Sequence, residues 1–142
     1  MPSRHKARQR ALQILYQWDM RKHPIDESIE GFYHSLGRDE GQPRVPQDAF
    51  MESLVRGTVE QAGQIDEMIQ KHAEHWRLDR MPIVDRNVLR LAVYELMNTD
   101  TPAAILIDEA LELARQFAGE ESVHFVNGVL DAVHRDPRSA SG

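Results

Sequence analysis

Apolar residues recur at intervals of three and four along almost the whole chain, and this helical period constrains the fold more than any other feature. No stretch shows the strict alternation of apolar and polar residues that a half-buried strand requires. The pattern therefore predicts an all-α protein whose first helix begins at the N-cap Ser3. The apolar stripe of that helix consists of Ala7, Ala11, Ile14, Leu15 and Trp18.

Proline and glycine residues divide the helical pattern in the first part of the chain. Pro24 opens a second helix that Gly37 ends, and residues 38–46 form a loop. A long third helix is expected over residues 47–75. Two internal glycines, Gly57 and Gly63, weigh against its continuity, since each costs about 1 kcal/mol relative to alanine.

Residues 77–82 are the predicted boundary between two halves of the chain. Beyond it, Pro82 starts a fourth helix, and Thr101 with Pro102 supplies the N-cap and first residue of a fifth, which stops at Gly119. Ser122 is the expected N-cap of the last helix, which Pro137 ends. We therefore expect one domain over residues 1–142. Its parts are two packed halves of three helices each, 3–76 and 82–136, followed by a polar tail, 137–142.

The composition excludes several classes of protein. The chain has no cysteine, which rules out disulfides, thiol catalysis and cysteine-ligated metals. No apolar run is long enough to span a membrane, and no signal peptide is evident, so a cytoplasmic location is expected. Phosphate loops, nucleophile elbows and dinucleotide fingerprints are also missing. The sequence therefore predicts neither an enzyme nor a cofactor.

The charge of the chain is distributed unevenly. Residues 1–18 hold four cations and no acid, whereas the net charge of the whole chain is −6. Nucleic-acid binding is therefore expected only at the N-terminus, where arginines can fork onto phosphates or stack on bases. A solvated, frayed end is the alternative. The four cations are Arg4, Lys6, Arg8 and Arg10.

Three other features have competing interpretations. Tyr16 lies at the margin of the apolar stripe, where its ring either stacks on a base or packs in the core. His72 and His75 flank a glutamate, but their spacing does not match a zinc helix, so no metal site is predicted. Asn127 and Gly128 are poor helix formers, and we interpret them as a close approach between helices.

Four segments of the chain resemble the NusB family, in order and at matching separations. They are residues 4–18, 85–96, 102–114 and 125–131, which read RHKARQRALQILYQW, DRNVLRLAVYEL, PAAILIDEALELA and FVNGVLD. The resemblance implies an all-α fold of two three-helix-like bundles. It also implies binding of boxA leader RNA together with NusE, a ribosomal small-subunit protein, within an antitermination complex on RNA polymerase.

The resemblance also assigns residues to these partners. The RNA surface would comprise Arg4, His5, Lys6, Arg8, Arg10 and Tyr16, with Glu121 and Phe125 at the start of the last helix beside it. The region of Asp85 would face the protein partner. The sequence leaves open whether the free protein forms a homodimer.

Two rival interpretations remain. One is a NusB-like domain fused to an RNA cytosine methyltransferase, although this chain has no cofactor-binding half. The other is a helical protein–protein adaptor with an incidental basic end. Salt-dependent RNA binding separates the adaptor from the RNA-binding protein.

Overall fold

The computed structural model describes residues 3–39, 41 and 45–136, and all regular structure within them is helical, which confirms the predicted fold class. None of these helices is long and apolar enough to cross a membrane. The elements are α1 (Arg4–Arg21), α2 (Ile25–Asp39), α3 (Ala49–Glu60), α4 (Ala62–His72), a 3-10 turn (Leu78–Arg80), α5 (Ile83–Asn98), α6 (Ala103–Phe117) and α7 (Glu120–Arg135).

Two compact units divide the chain, one up to Arg56 and one from Gly57 onward. The division falls inside α3, whereas the boundary expected at residues 77–82 holds the 3-10 turn of the second unit. The expected tail, 137–142, and the expected helix stop at Pro137 lie outside the described residues.

In the first unit, α1 starts at the predicted cap. The Ser3 hydroxyl oxygen accepts a hydrogen bond from the Lys6 backbone N–H at 3.1 Å, which satisfies a donor that the helix itself leaves free. The helix ends at Lys22, whose φ of 57° is left-handed and whose N–H donates to the Trp18 carbonyl. Its apolar stripe is buried as expected at Ala7, Ala11, Ile14 and Leu15.

Tyr33 fastens α2 to the start of α3. Its hydroxyl donates to a Glu52 carboxylate oxygen at 2.8 Å and accepts the Asp48 backbone N–H at 2.8 Å. Desolvation raises the pKa of Tyr33 to about 12. The helix stop predicted at Gly37 is wrong, because α2 continues to Asp39 and Gly37 lies buried within it.

The long helix predicted over residues 47–75 is wrong, because it is broken at Gln61 into α3 and α4. The break falls at neither glycine. The Gln61 side-chain amide exchanges two hydrogen bonds with that of Asn98, at 3.0 and 3.1 Å. Gly57 instead marks a close approach, since a Cβ there would lie 2.2 Å from the ring of Tyr94.

In the second unit, α5 packs against α4, α6 and α7 and is buried along most of its length. Its buried Arg90 donates to both carboxylate oxygens of Asp66, at 2.8 and 3.1 Å, and to the Asn87 side-chain oxygen at 3.1 Å. This bidentate geometry offsets the cost of removing the guanidinium from water.

The last two helices have caps that differ from the predicted ones. Pro102, and not Thr101, is the N-cap of α6. Gly119 caps α7 with a φ of 140°, a conformation that favours glycine, and Ser122 therefore falls inside the first turn. The Ser122 hydroxyl donates to Asp85 at 2.7 Å instead of capping the helix.

Candidate nucleic-acid interface

The first two turns of α1 carry the basic patch, which we define as Arg4, His5, Lys6, Arg8 and Arg10. Arg4 and Lys6 are exposed, and His5 and Arg10 are half-buried. No acidic residue occupies the first turn of the helix, and Asp19 is the first acid along it. Cations at a helix N-terminus oppose the macrodipole, so helix stability alone does not account for this arrangement.

Phe50, in the first turn of α3, supports this basic patch within the first unit. The guanidinium carbon of Arg4 lies 4.3 Å from the centroid of the Phe50 ring, and that of Arg8 lies 5.7 Å from it. Both distances are within the range of cation–π attraction. A stacked guanidinium keeps its edge N–H groups available to an anion, so the ring restrains Arg4 without removing its donors.

Arg8 differs from the rest of the basic patch because it is only 4% exposed. The expectation that it forks onto phosphates in the same way as Arg4 is not matched by this burial. Sequence periodicity did place Arg8 on the core-facing stripe of α1. What the sequence did not supply was Phe50, a distant residue whose ring covers it.

Arg10 and Tyr16 continue the surface of α1 with partly exposed side chains. The Arg10 Nε is buried and has no hydrogen-bond partner among the described residues. Tyr16 is half-buried, and so is Trp18, which was expected in the core. Both rings therefore retain some accessible surface.

Glu121 and Phe125 lie one turn apart on α7, in the second unit. Glu121 is exposed and Phe125 is half-buried. The Phe125 ring meets that of Trp76 edge to face, with centroids 5.8 Å apart and planes at 70°. Sequence reasoning placed Trp76 along one side of a long helix, but it lies in the connection after α4 and is 57% exposed.

Asp85 does not present a carboxylate to the solvent, although its region was expected to face a protein partner. It is 4% exposed and accepts the Ser122 hydroxyl, joining the first turn of α5 to that of α7. Burial raises the pKa of the Asp85 carboxyl, and the Ser122 hydrogen bond partly counteracts this.

The close helix approach expected at Asn127 and Gly128 is wrong. Both residues are exposed, and a Cβ added at Gly128 would meet nothing within 4 Å. The close approach involves Gly57 instead, because tertiary packing and not residue type decides which glycine faces a neighbour.

The histidine considered as a metal ligand belongs to a structural ion pair. His72 Nε2 lies 2.8 Å from a carboxylate oxygen of Asp136, which also accepts the Lys71 ammonium at 3.2 Å. Within the described ranges, no three metal-ligating side chains are grouped so as to hold an ion.

Comparisons with known proteins bear on this geometry. The model of the NusB family matches residues 5–135. The transcription antitermination protein NusB of Solibacter usitatus (strain Ellin6076) is 60% identical over 136 residues, covering 96% of this chain and 91% of that protein.

Two solved structures share the fold. T. maritima NusB has a TM-score of 0.79 and 33% identity, covering 95% of this chain and 92% of that one. A structure of antitermination factors NusB and NusE in complex with dsRNA has a TM-score of 0.80 and 29% identity, covering 93% and 96%.

Proposed function

The chain belongs to the NusB family, and we propose that it is a transcription antitermination factor that binds boxA-type leader RNA together with NusE. The relative from Solibacter usitatus carries the name of such a factor, and a similar structure holds NusB, NusE and dsRNA. In this role the protein acts in the cytoplasm, within an RNA polymerase complex that resists termination.

The observation that carries the proposal is the exposed, pre-positioned basic patch. Residues 1–18 hold four cations and no acid, in a chain whose net charge is −6, so the attraction for RNA is concentrated on one helix. The ring of Phe50 restrains Arg4, which lowers the entropy lost when a phosphate binds.

The residues of the basic patch have different roles in this proposal. Arg4 and Lys6 contact phosphates, and His5 and Arg10 extend the same surface. Tyr16 offers the accessible part of its ring to a base. Arg8, being buried, supports the Phe50 ring from within the unit. Glu121 and Phe125 are proposed as RNA neighbours in the second unit.

We further propose that the protein acts by binding and not by catalysis. The buried ionisable groups of the second unit are engaged in structural contacts: Arg90 with Asp66, Asp85 with Ser122, and Asp136 with His72. Each of these stabilises packing between helices.

The protein partner is proposed to dock on the second unit in the region of Asp85. Because that carboxylate is buried, its contribution is to hold α5 and α7 together, and exposed neighbours make the contact. A basic ribosomal protein complements the acidic remainder of the chain and extends the positive track for RNA.

Titration of boxA-type RNA in the presence and absence of purified NusE tests the proposal. The RNA dissociation constant should fall when NusE is present, and linkage requires RNA to tighten NusE binding by the same factor. If NusE binds and RNA does not at any salt concentration, the protein is a helical adaptor and the proposal is wrong.

A further inference from the structure

We propose that the exposed indole of Trp76 forms a second RNA contact, on which an unpaired base of the leader RNA stacks. This inference rests on the proposed RNA-binding function and adds a site to it. Among the described residues, three large hydrophobic side chains are exposed, and Trp76 is the aromatic one at 57%. The other two are Met20 and Ile105.

The backbone around Trp76 is held in place by one side chain. Gln70 donates its amide N–H to the Trp76 carbonyl at 2.7 Å, and its oxygen accepts the Leu78 N–H at 2.8 Å. The Trp76 N–H in turn donates to the Ala73 carbonyl at 2.9 Å. The connection after α4 is therefore ordered before any ligand binds, which reduces the entropic cost of stacking.

The Phe125 ring supports the indole. The edge-to-face contact at 5.8 Å fixes the orientation of the indole, while more than half of its surface stays in water. An immobilised aromatic ring open to solvent is the kind of platform that proteins use for single-stranded bases.

The residues beside the indole favour a nucleotide over an apolar protein segment. His75, Arg77 and Arg80 are all exposed, and Arg77 is paired with Asp79 at 3.0 Å. Histidine rings and guanidinium planes stack on bases, and guanidinium groups also bind phosphates. An apolar partner covering Trp76 would desolvate these polar groups without replacing their contacts with water.

Intrinsic tryptophan fluorescence tests the inference, because the chain has two tryptophans and Trp18→Phe leaves Trp76 as the sole reporter. We expect single-stranded boxA-type RNA to quench this variant. In the otherwise native chain, Trp76→Ala should weaken RNA binding about 5- to 100-fold, whereas Trp76→Phe should retain most of the affinity. The slope of log affinity against log salt should not change, since no phosphate contact is removed.

Ile105→Ala, at the other strongly exposed hydrophobic site of the second unit, is the matched control and should leave RNA affinity unchanged. Quenching by NusE but not by RNA, or native affinity in Trp76→Ala, overturns this inference while leaving RNA binding by the basic patch intact. Loss of RNA binding in the unsubstituted protein overturns the proposed function itself. Melting curves of each variant show that the fold is retained.

Discussion

Arg4 at the start of α1 stacks on Phe50 at the start of α3, with its guanidinium carbon 4.3 Å from the ring centroid. The same ring lies 5.7 Å from the guanidinium of Arg8. One aromatic side chain thus restrains two cations of the basic patch, one exposed and one buried. The contact links packing of the first unit to the way it presents positive charge.

Phe50→Leu is expected to weaken RNA binding about 2- to 5-fold, because it keeps an apolar side chain but removes the cation–π attraction. Phe50→Tyr retains an aromatic face and should bind RNA with nearly native affinity. Fluorescence anisotropy with labelled RNA measures both variants. Equal affinities for the leucine and tyrosine variants would show that the ring does not position Arg4.

Arg8→Ala is expected to lower the free energy of unfolding by about 1–3 kcal/mol, since the side chain is buried and packs against Phe50. Arg4→Ala removes an exposed side chain and should cost less than about 0.5 kcal/mol. Urea unfolding of the two variants measures the difference. The account of Arg8 as a supporting residue is contradicted if both variants are equally stable.

Asp85→Asn is expected to stabilise the protein at neutral pH, because burial raises the pKa of the Asp85 carboxyl. Folding then favours the protonated acid. The stability this group contributes is fully present below the ordinary aspartate pKa, about 4, and is lost as pH rises through the raised pKa.

Thermal melts between about pH 3 and about pH 8 check the sign of this effect. The advantage of the asparagine variant should vanish at the acidic end, and Ser122 can still donate to its amide oxygen. A variant that is less stable than the native protein at neutral pH, with no deficit in acid, would contradict the account.

Glu121→Gln is expected to raise RNA affinity, with the larger gain at low salt, because the exposed carboxylate repels phosphates within a Debye length of about 8 Å. The melting temperature should fall slightly, since Glu121 lies in the first turn of α7, where negative charge is favourable. Glu67→Gln on α4 is the control for loss of an exposed acid. If low salt gives no gain, Glu121 does not lie beside the RNA.

Local sequence signals predicted most of the helical framework. The stripe of α1, its cap Ser3 and the helix starts after Pro24 and Pro82 depend on neighbouring residues and were predicted correctly. The break at Gln61 was missed because its amide partner, Asn98, is distant in sequence. Local patterning cannot identify such a pairing.

The candidate interface was predictable in charge but not in geometry. A run of cations is visible in the sequence, whereas the burial of Arg8 depends on a ring contributed by α3. Exposure of Trp76 depends on where α4 ends, and the helical pattern extended past that point. Both outcomes follow from tertiary packing, which overrides local periodicity.

The salt dependence of RNA binding tests the central claim most directly. Arg4→Ala combined with Lys6→Ala removes two exposed cations of the basic patch, and Arg21→Ala combined with Arg38→Ala removes two exposed cations outside it. For single-stranded RNA, the first pair should reduce the slope of log affinity against log salt by about 1.4, or about 0.7 per contact. The second pair should leave the slope near its native value. Equal slopes for the native protein and the Arg4, Lys6 double variant would contradict RNA binding by this patch.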